Sequence, residues 1–404
     1  MKIAVIGGGA SGMAAALEAS QYENTEVYLF ERQARLGKKL SATGNGRCNL
    51  SNLHAGEGGY HGEQPDFRNS AMEHFPVEET LEWFRSMGLY TVREESGKIY
   101  PYSDQANSVV DILRLALLRP NIRILTGSEV DKIRKSGEKF TLSSGGKTYE
   151  ADRLVIACGG LAGTKLGGGM FGYRFLRGFG HHCTKLRPAL VQIRTDWQDI
   201  SALKGVRANC RAEILKDGEV FASSQGEIQF TEIGLSGPVM FEISRDVCQG
   251  KGDFSCRLDF LPDLSEEVIG EELLRRKELS LPASELFTGI LHNRLGRILI
   301  KQIGISENEE ISAVSDGSVR EAGWISKHFV VHLTEPLGMD SAQVTAGGIL
   351  TEEFDRETME SKLVPGLYAC GEVLDIDGDC GGYNLQWAWS SGRLAGQHAG
   401  KENK

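Results

Sequence analysis

A glycine pattern close to the N-terminus constrains this chain more than any other feature. Residues 2–6 are a short apolar run that predicts a buried strand, and Gly7-x-Gly9-x-x-Gly12 follows at once. Residues 13–20 suit a helix, and residues 27–30 predict a second strand that ends at Glu31. The order of strand, glycine loop, helix, strand and acid is the β-α-β fingerprint of a dinucleotide-binding domain.

Each glycine of this motif is expected to have its own task. Gly7 permits the tight turn, Gly9 lets the backbone approach a pyrophosphate, and Gly12 lets helix and strand pack closely. The free N–H groups at the helix start would bind the phosphates. The Glu31 carboxylate can accept hydrogen bonds from both ribose hydroxyls and would repel a 2′-phosphate, which disfavours NADP at this site. The alternative is a glycine-rich turn that binds nothing. The surrounding strands, helix and acid favour the dinucleotide site over this alternative.

A second Gly-x-Gly-x-x-Gly pattern runs from Gly167 to Gly172. It lies well beyond the nearest predicted strand, residues 153–157, and no strand with a terminal acid follows it at the required distance. We therefore predict a loop that leads into a helix over residues 173–179, and not a second dinucleotide site.

Three further stretches help to distinguish FAD from NAD, whose adenosine halves are the same. Residues 37–49 are dense in glycine, basic and amide side chains and suit a loop laid along a pyrophosphate and a planar ring. Residues 154–160 predict a strand that ends in small residues, and residues 366–375 predict a late strand that ends in glycine and acid. Residues 381–386 then open the last helix, whose N-terminus could face the electron-rich edge of a reduced flavin.

These stretches resemble the glutathione-reductase-like FAD proteins and, more specifically, the BaiN/RdsA (YhiN) flavoprotein family. The resemblance covers nearly the whole chain and rests on motifs that occur in order. They are T-G-N-G-R-C-N at 43–49, G-L-S-G-P at 234–238, V-T-A-G-G at 344–348, T-M-E-S-K at 358–362, and G-E-V-L-D with G-G-Y-N near the C-terminus. One segment departs: the family commonly has a proline and a Gly-Ser-x-Gly-Asp-Gly-Tyr pattern after Gly160, and residues 161–173 contain neither the proline nor the acid.

The resemblance implies an α/β fold, namely a Rossmann-like, glutathione-reductase-like FAD-binding domain with inserted β-rich and α-helical domains. We place the FAD-binding domain at residues 1–188 and 344–404, the β-rich domain at 189–261 and 326–343, and the helical domain at 262–325. Short alternating apolar runs, such as residues 190–194 and 256–260, favour strands in the β-rich domain. Ser265 is the predicted cap of a helix in the helical domain.

The resemblance also implies an enzyme, an FAD-dependent oxidoreductase that uses NADH or NADPH as a transient electron donor. Members of the family include a ribosomal RNA dihydrouridine synthase and a bile-acid-pathway reductase, and a related branch resembles an aminoacetone oxidase. We therefore expect reduction of a C=C bond in a small-molecule or RNA substrate, with uracil in ribosomal RNA as one candidate. Two alternatives stay open: an amine or aminoacetone-type oxidase that uses O₂, and a non-catalytic flavin-containing module that binds RNA or a partner.

Reduction of a C=C bond needs hydride at one carbon and a proton at the other, and the flavin itself transfers the electrons. Cys48 is the first candidate proton donor, because its glycine-rich loop is expected to lie near the flavin. Tyr383, which follows the Gly381-Gly382 turn, is the second. Their alternatives are a buried loop thiol and a packing aromatic ring. Arg47 is expected to hold pyrophosphate or an anionic substrate, or else to be an exposed loop charge.

The predicted cofactor-binding residues combine the fingerprint with the motifs carried over by the resemblance. They are Gly7, Gly9, Ala10, Ser11, Gly12, Glu31, Arg32, Lys38, Lys39, Thr43, Gly44, Gly46, Arg47, Cys48, Asn49, Val130, Ala157, Cys158, Gly159, Gly371, Glu372, Gly382, Tyr383, Asn384 and Leu385. No metal site is predicted, because the adjacent His181 and His182 have no acid or cysteine at ligand spacing. No serine-hydrolase pattern is present either.

Charge is distributed unevenly along the chain. The net charge of −10 argues against a general polyanion binder. Between Lys165 and Arg211, however, nine basic residues stand against two acidic ones, and this basic stretch is a candidate contact for RNA phosphates. A solvated face or a set of salt-bridge donors is the alternative.

The remaining composition favours a cytoplasmic protein, and the resemblance implies a bacterial one. No apolar run approaches the ~18 residues of a membrane span, and the apolar N-terminus is too short for a signal peptide. The eight cysteines are scattered without a C-x-x-C pair, which favours reduced thiols over disulfides or zinc. Nothing in the sequence indicates the oligomeric state.

Overall fold

The computed structural model describes residues 1–250 and 252–402, with all their side chains except those at 246 and 249. The chain divides into two compact units, residues 1–187 with 343–404 and residues 188–342. The first unit thus combines both ends of the chain, and the second is one continuous insertion. Because residues 188–342 form a single unit, the finer division into β-rich and helical domains stays a prediction.

Helices and strands are numbered in chain order. The helices are α1 Ala10–Ala19, α2 Arg68–His74, α3 Val77–Ser86, α4 Ala106–Ala116, α5 Phe171–Gly178, α6 Pro238–Gln249, α7 Glu266–Arg275, α8 Asn293–Gln302, α9 Asp316–Ile325 and α10 Tyr383–Gly400. The strands are β1 Lys2–Ile6, β2 Glu26–Phe30, β3 Ser51–Asn52, β4 Tyr60–His61, β5 Thr91–Arg93, β6 Lys98–Pro101, β7 Ile122–Leu125, β8 Val130–Ser136, β9 Lys139–Ser144, β10 Lys147–Ala151, β11 Arg153–Ile156, β12 Arg187–Ala189, β13 Ile193–Thr195, β14 Arg207–Lys216, β15 Glu219–Phe230, β16 Gly234–Ser236, β17 Phe254–Asp259, β18 Phe329–Pro336, β19 Val344–Ala346, β20 Leu367–Ala369 and β21 Asp377–Gly378.

A five-stranded parallel sheet forms the centre of the first unit, in the order β20-β11-β1-β2-β7. Residues 3–6 of β1 are buried and apolar, as expected for a parallel strand that is covered on both faces. The chain leaves β1 for β2 on one side and has β11 on the other, so the strand order reverses at β1. Rossmann-like folds bind their ligands at the carboxyl ends of the strands at such a reversal. The predicted Rossmann-like α/β class is confirmed.

Helices α1 and α10 pack at very short range beside this sheet. A Cβ atom at Gly392 would lie 2.4 Å from the carbonyl oxygen of Ser11, and one at Gly396 would lie 2.3 Å from that of Ala15. Between these glycines, the buried Arg393 donates from Nε to Glu18 Oε1 at 2.6 Å. The two helices therefore join the N-terminal and C-terminal segments through backbone contact and one buried ion pair.

The second unit contains a closed barrel in the order β13-β16-β15-β14-β17-β18 and the helices α6 to α9. Its core is apolar and includes Ile214, Phe230 and Leu258 from the barrel strands. Ser265 caps α7, since its side chain accepts from the Val268 backbone N–H at 3.2 Å, which confirms the predicted cap.

Two parts of the second unit differ from the sequence prediction. The run 190–194 was expected to be one strand, but β12 ends at Ala189 and β13 begins at Ile193. Leu190 has a φ of 50°, which takes the backbone out of the extended conformation. Helix α6 also lies within residues 189–261, which were predicted as a β-rich domain.

No helix in residues 1–250 or 252–402 is long and apolar enough to cross a membrane. All eight cysteines are free thiols.

Candidate cofactor-binding and active site

The glycine loop between β1 and α1 is closed at both ends and open in the middle. Gly7 has a φ of 112°, and a Cβ atom there would lie 2.3 Å from the carbonyl oxygen of Ala157. A Cβ atom at Gly12 would lie 1.8 Å from the carbonyl oxygen of Gly7. At Gly9, by contrast, no heavy atom lies within 4 Å of the Cβ position. Among the glycines of the motif, the loop therefore leaves space at Gly9 and not at Gly7 or Gly12.

The start of α1 is available to an anion. The helix begins at Ala10, directly after Gly9, and no side chain caps its N-terminus. Its first turn contains no acidic residue that would compensate the helix dipole. Free backbone N–H groups and the positive end of the dipole therefore meet the open space at Gly9.

The Glu31 carboxylate is fixed against this loop. Its Oε2 accepts from the Gly8 backbone N–H at 2.8 Å, and its Oε1 accepts from the Gln33 N–H at 2.7 Å. An ionised carboxylate has about four acceptor positions, so each oxygen can still accept from a ligand hydroxyl. Backbone bonds thus orient Glu31 and leave part of its acceptor capacity unused.

Arg32 contacts the second glycine pattern. Its Nη2 donates to the Gly167 carbonyl at 2.8 Å, and its guanidinium lies 4.4 Å from the centre of the Phe171 ring. A Cβ atom at Gly172 would lie 2.8 Å from Val373 Cγ2, so that glycine serves close packing of α5. The pattern is a loop that leads into a helix, as expected, although α5 begins at Phe171 and not at residue 173.

Glu372 joins three distant parts of the first unit. Its Oε2 accepts from Lys39 Nζ at 2.8 Å, and its Oε1 accepts from the Thr345 backbone N–H at 2.9 Å. Lys38 instead is exposed and donates to Gln33 Oε1 at 3.3 Å. Both oxygens of Glu372 are thus bound within the protein, which makes it a link between the loop 37–49 and the late G-E-V-L-D motif.

The T-G-N-G-R-C-N segment forms an irregular turn with one unsatisfied acceptor. Gly44 and Asn45 have φ values of 57° and 55°. The side-chain oxygen of Asn49 is buried and has no hydrogen-bond donor among the described residues. A Cβ atom at Gly382 would lie 2.9 Å from this oxygen and 2.3 Å from the Ser51 carbonyl. Asn49 and Gly382 therefore meet, and an acceptor for a ligand N–H remains between them.

Helix α10 starts at this meeting point. Gly382 has a φ of 105° and precedes Tyr383, the first helical residue, without a side-chain cap. Asn384 is engaged elsewhere, since it accepts from the Gly378 N–H at 2.8 Å and donates to the Gly378 carbonyl at 2.7 Å. Leu385 is half-buried in the same turn. Asn384, although predicted to bind the cofactor, thus stabilises the turn before the helix.

The two candidate proton donors have different surroundings. Cys48 is 0% exposed, and burial raises the pKa of its thiol to about 12. Tyr383 is half-buried, and its ring packs edge-on against Tyr60 with 5.7 Å between the ring centres. A proton donor must be reprotonated from solvent, which favours Tyr383. The catalytic roles of both residues stay predictions.

Arg47 is paired with two acids. Its Nε donates to Asp104 Oδ1 at 2.5 Å, its Nη2 lies 3.2 Å from Glu94 Oε1, and its guanidinium stacks 4.0 Å from the centre of the Tyr100 ring. Its charge is therefore already compensated, and the expected contact with pyrophosphate would compete with these pairs.

The other predicted residues differ in their surroundings. Ala157 and Cys158 follow β11, and Cys158 Sγ donates to the Ile6 carbonyl at 3.5 Å. Gly159 and Gly46 are open, with no heavy atom within 4 Å of their Cβ positions. Further placements complete the set: Thr43 donates to the Leu40 carbonyl, Val130 is buried at the start of β8, and a Cβ atom at Gly371 would lie 2.6 Å from Ser11 Oγ.

Sequence reasoning missed the role of Thr345. It is 1% exposed, and its Oγ1 accepts from the Ala162 backbone N–H at 2.9 Å. The V-T-A-G-G motif marked this position, but the motif alone did not indicate which segment it contacts.

The adjacent histidines also have a partner that the sequence did not reveal. The Glu353 carboxylate contacts both histidines. Its Oε2 lies 2.8 Å from His181 Nδ1, and its Oε1 lies 2.6 Å from His182 Nδ1. No group of three His, Cys, Asp or Glu residues in the described ranges could hold a metal ion. The lack of a metal site stays a prediction.

The basic stretch separates into two kinds of residue. In the first unit, Arg174, Arg177 and Lys185 are exposed and form no ion pair with any carboxylate in the described part of the chain. In the second unit, three bases are paired. They are Arg194 with Glu335 at 3.4 Å, Lys204 with Glu232 at 2.7 Å and Arg207 with Glu227 at 3.2 Å. The fourth base there, Arg211, is exposed and donates to Gln225 Oε1 at 3.4 Å, with no carboxylate partner among the described residues. The uncompensated positive charge of the stretch therefore lies mainly in the first unit.

Two cavities accompany these features. Arg177 lines one of about 480 Å³ together with Met170, His182 and Thr184. The larger, of about 660 Å³, is lined by acids such as Glu63 and contains none of the predicted cofactor-binding residues. Cavity size therefore does not identify the cofactor site, which is defined by the glycine loop and its donors.

Comparison with known proteins relates the whole chain to one family. The model described as "HI0933-like protein Rossmann domain" matches residues 1–398. A 3-dehydro-bile acid delta(4,6)-reductase from Clostridium scindens is 38% identical over 404 residues and 98% of each chain. A ribosomal RNA dihydrouridine synthase from Escherichia coli is 32% identical over 400 residues, 96% of this chain and 95% of that protein.

A solved structure supports the fold independently. The 3-ketosteroid delta1-dehydrogenase from Sterolibacterium denitrificans, in complex with 1,4-androstadiene-3,17-dione, aligns with a TM-score of 0.52 at 13% identity. The alignment covers 98% of this chain and 99% of that one. At this level of identity the similarity concerns the fold alone.

Proposed function

The chain belongs to the HI0933-like Rossmann family and is an FAD-dependent oxidoreductase, and from this basis we propose that it reduces a C=C bond with electrons from NADH or NADPH. The names of the two relatives support the reaction class, because a delta reductase and a dihydrouridine synthase both saturate a double bond. Such a reaction needs a bound hydride carrier, a site for the electron donor and a proton source.

The residues around the glycine loop fit FAD. The open position at Gly9 and the uncapped start of α1 suit its pyrophosphate, and the unused acceptor capacity of Glu31 suits its ribose. The observation that carries the flavin proposal is the buried Asn49 oxygen without a donor, because a planar ring with an N–H group would satisfy it. When bound, FAD supplies the hydride transfer.

The side chains of this protein would bind and orient the cofactor and would protonate the substrate. Lys39 and Glu372 hold the loop 37–49 against the late motif, and Gly382 lets the start of α10 approach Asn49. We assign the proton donor to Tyr383 Oη and not to Cys48 Sγ. The thiol is sealed in the core with a raised pKa, whereas the Tyr383 side chain is half-buried.

For the substrate we propose uracil in ribosomal RNA. The support is the exposed, unpaired charge of Arg174, Arg177 and Lys185, since phosphate contacts supply most of the affinity for a nucleic acid. A small enone is the second candidate, favoured by the higher identity of the bile-acid reductase over nearly the full length.

A stopped-flow experiment tests the reaction class. We expect NADH or NADPH to bleach the visible flavin band under anaerobic conditions, and RNA or an enone to restore it. Bleaching by an amine with peroxide release in air would indicate an oxidase instead. If no donor bleached the flavin, the remaining hypothesis would be a non-catalytic flavin-containing module that binds RNA or a partner.

A glycine substitution tests the cofactor site without disturbing the fold. Gly9 has a φ of −82° and an open Cβ position, so Gly9→Ala meets no atom of the protein and reaches only into the space proposed for phosphate. We expect the variant to fold normally and to purify with much less FAD. Gly178→Ala, at an equally open position, is the matched control and should keep its FAD.

A further inference from the structure

We propose that Thr345 is a positioning residue that anchors the loop 160–169 beside Glu372 and thereby slows the release of FAD. The anchoring contacts are observed in the structure, and the effect on FAD rests on the proposed function. Most of this loop lies in the segment 161–173, whose sequence departs from the pattern common in the family. The contacts that anchor the loop are therefore argued from the residues of this chain alone.

Thr345 connects the loop to Glu372 with two hydrogen bonds of opposite polarity. Its side-chain oxygen accepts from the Ala162 N–H at 2.9 Å, and its backbone N–H donates to Glu372 Oε1 at 2.9 Å. The Tyr173 hydroxyl, in α5, donates to the backbone carbonyl of the same Glu372 at 3.5 Å. One buried threonine therefore joins the loop to the carboxylate that pairs with Lys39.

Burial makes this anchor strong. Thr345 is 1% exposed and Ala162 is 0% exposed, so water cannot replace the hydroxyl as a partner of the Ala162 N–H. A buried donor left without an acceptor carries its full desolvation penalty. Loss of the hydroxyl is therefore expected to open the loop locally, since opening is the way for that N–H to reach water.

The loop also passes directly over the carboxylate. A Cβ atom at Gly160 would lie 2.4 Å from Glu372 Oε1 and 2.5 Å from Thr345 Oγ1. Only glycine allows this approach, so the Gly160 backbone lies against both groups. The Gly169 N–H donates to the Gly160 carbonyl at 3.1 Å, which closes the loop on itself.

The opposite side of the loop is fixed next to the other acid of the candidate site. The Gly167 carbonyl accepts from Arg32, the residue after Glu31. The loop thus extends from the neighbour of Glu31 to Glu372, two acids of the candidate cofactor site. A loop held at both positions would have to loosen before a ligand bound between them could leave, which links the Thr345 hydroxyl to ligand release.

Hydrogen exchange of the full-length protein, with and without FAD, tests the anchor. Thr345→Val removes the hydroxyl and keeps the backbone N–H that binds Glu372, and Thr345→Ser restores the hydroxyl. We expect amide exchange within residues 160–169 to become about tenfold faster in the Val variant, as for loss of one buried hydrogen bond. FAD dissociation should become faster by a similar factor, and Thr345→Ser should return both rates to nearly the parent values.

Thr25→Val is the matched control. Thr25 is also buried, and its hydroxyl bonds to the Ala19 and Tyr22 carbonyls, away from the loop. This variant should lower stability without changing exchange in 160–169 or the rate of FAD release. Unchanged exchange in Thr345→Val, or an equal change in Thr25→Val, would overturn the proposal. If the parent protein bound no FAD, the proposed function would fail, while the exchange comparison would still decide the anchor.

Discussion

Among single side chains, Glu31 carries the most specific prediction for the cofactor. Glu31→Ala removes a charged acceptor that is expected to bind the ribose, at a cost of ~1.5–3 kcal/mol for each hydrogen bond to a charged group. It also removes the bonds that Gly8 and Gln33 donate, which loosens the glycine loop. We expect FAD affinity, measured by calorimetry on protein stripped of flavin, to fall at least about tenfold.

Two further variants serve as controls for Glu31→Ala. Glu31→Gln keeps one acceptor oxygen and should retain more affinity than Glu31→Ala. Glu23→Ala removes an exposed acid in the turn before β2 and should leave FAD affinity unchanged. Unchanged affinity in Glu31→Ala would show that this carboxylate does not contact the ribose.

The buried His181 is expected to make the free energy of unfolding depend on pH. Burial lowers the pKa of His181 below its ordinary value of 6.5, although the bond to Glu353 acts in the opposite direction. Ser361 Oγ accepts from the N–H groups of Leu363 and Val364, so its own hydrogen is donated to His181 Nε2 at 2.9 Å. His181 is therefore neutral, with its hydrogen on Nδ1 and directed at Glu353.

The sign of the effect follows from proton binding. Just below pH 6.5 the unfolded chain binds a proton at His181 and the folded protein does not, so stability falls as the pH falls through this window. Glu353, whose pKa is held below its ordinary value of 4.5 despite its partial burial, adds a loss in the same direction at lower pH. Urea unfolding of His181→Asn should show a flatter profile between pH 7 and pH 5 than the parent protein, and equal slopes would contradict the assignment.

Between elements, the contact of α1 with α10 gives the sharpest stability prediction. Gly392→Ala places a Cβ atom 2.4 Å from the Ser11 carbonyl, so the two helices must separate. Overpacking of this kind costs about 1–3 kcal/mol. We expect the denaturant midpoint to fall by a corresponding amount, whereas Gly178→Ala, which meets no atom, should be nearly neutral. Equal midpoints for the two variants would show that the helices can move apart without penalty.

The sequence predicts those elements whose local pattern agrees with their final environment. The β1-α1-β2 unit was predictable because apolar period, glycine spacing and terminal acid are all local. Leu190 was not, because its left-handed φ of 50° leaves no trace in an alternating apolar run. Helix α6 was not predicted for a different reason, since burial on one face of a helix and alternation in a strand overlap over short stretches.

Contacts between distant residues were the least predictable part of the candidate site. Lys39 and Glu372 were each predicted as cofactor ligands, yet they bind one another across 333 positions of the chain. Thr345 and Glu353 find their partners only when the C-terminal segment joins the N-terminal half. Motif spacing identifies such residues as special, but only the tertiary structure shows whether they face a ligand or another side chain.

Across the full chain, the balance of charge bears on the substrate. The net charge of −10 opposes a polyanion at long range, but charges separated by more than ~8 Å are largely screened at physiological salt. Local unpaired bases can therefore still bind phosphates. Most such bases within the stretch lie in the first unit, since three of the four in the second unit are paired with glutamates.

The unpaired bases of the first unit predict that RNA binding depends on salt. If Arg174, Arg177 and Lys185 contact phosphates, affinity for a ribosomal RNA fragment should fall steeply with salt, by about 0.7 in log–log slope for each single-strand contact. Arg174→Ala combined with Arg177→Ala should make the slope shallower by about one to two units. Lys204→Ala with Arg207→Ala changes the net charge equally but removes paired bases, so its slope should match the parent. Flavin content should be the same in all three proteins, because phosphate contacts do not involve the glycine loop. A flat salt dependence in the parent protein, or equal slopes in the two double variants, would exclude the RNA contact and leave a small enone as the better substrate.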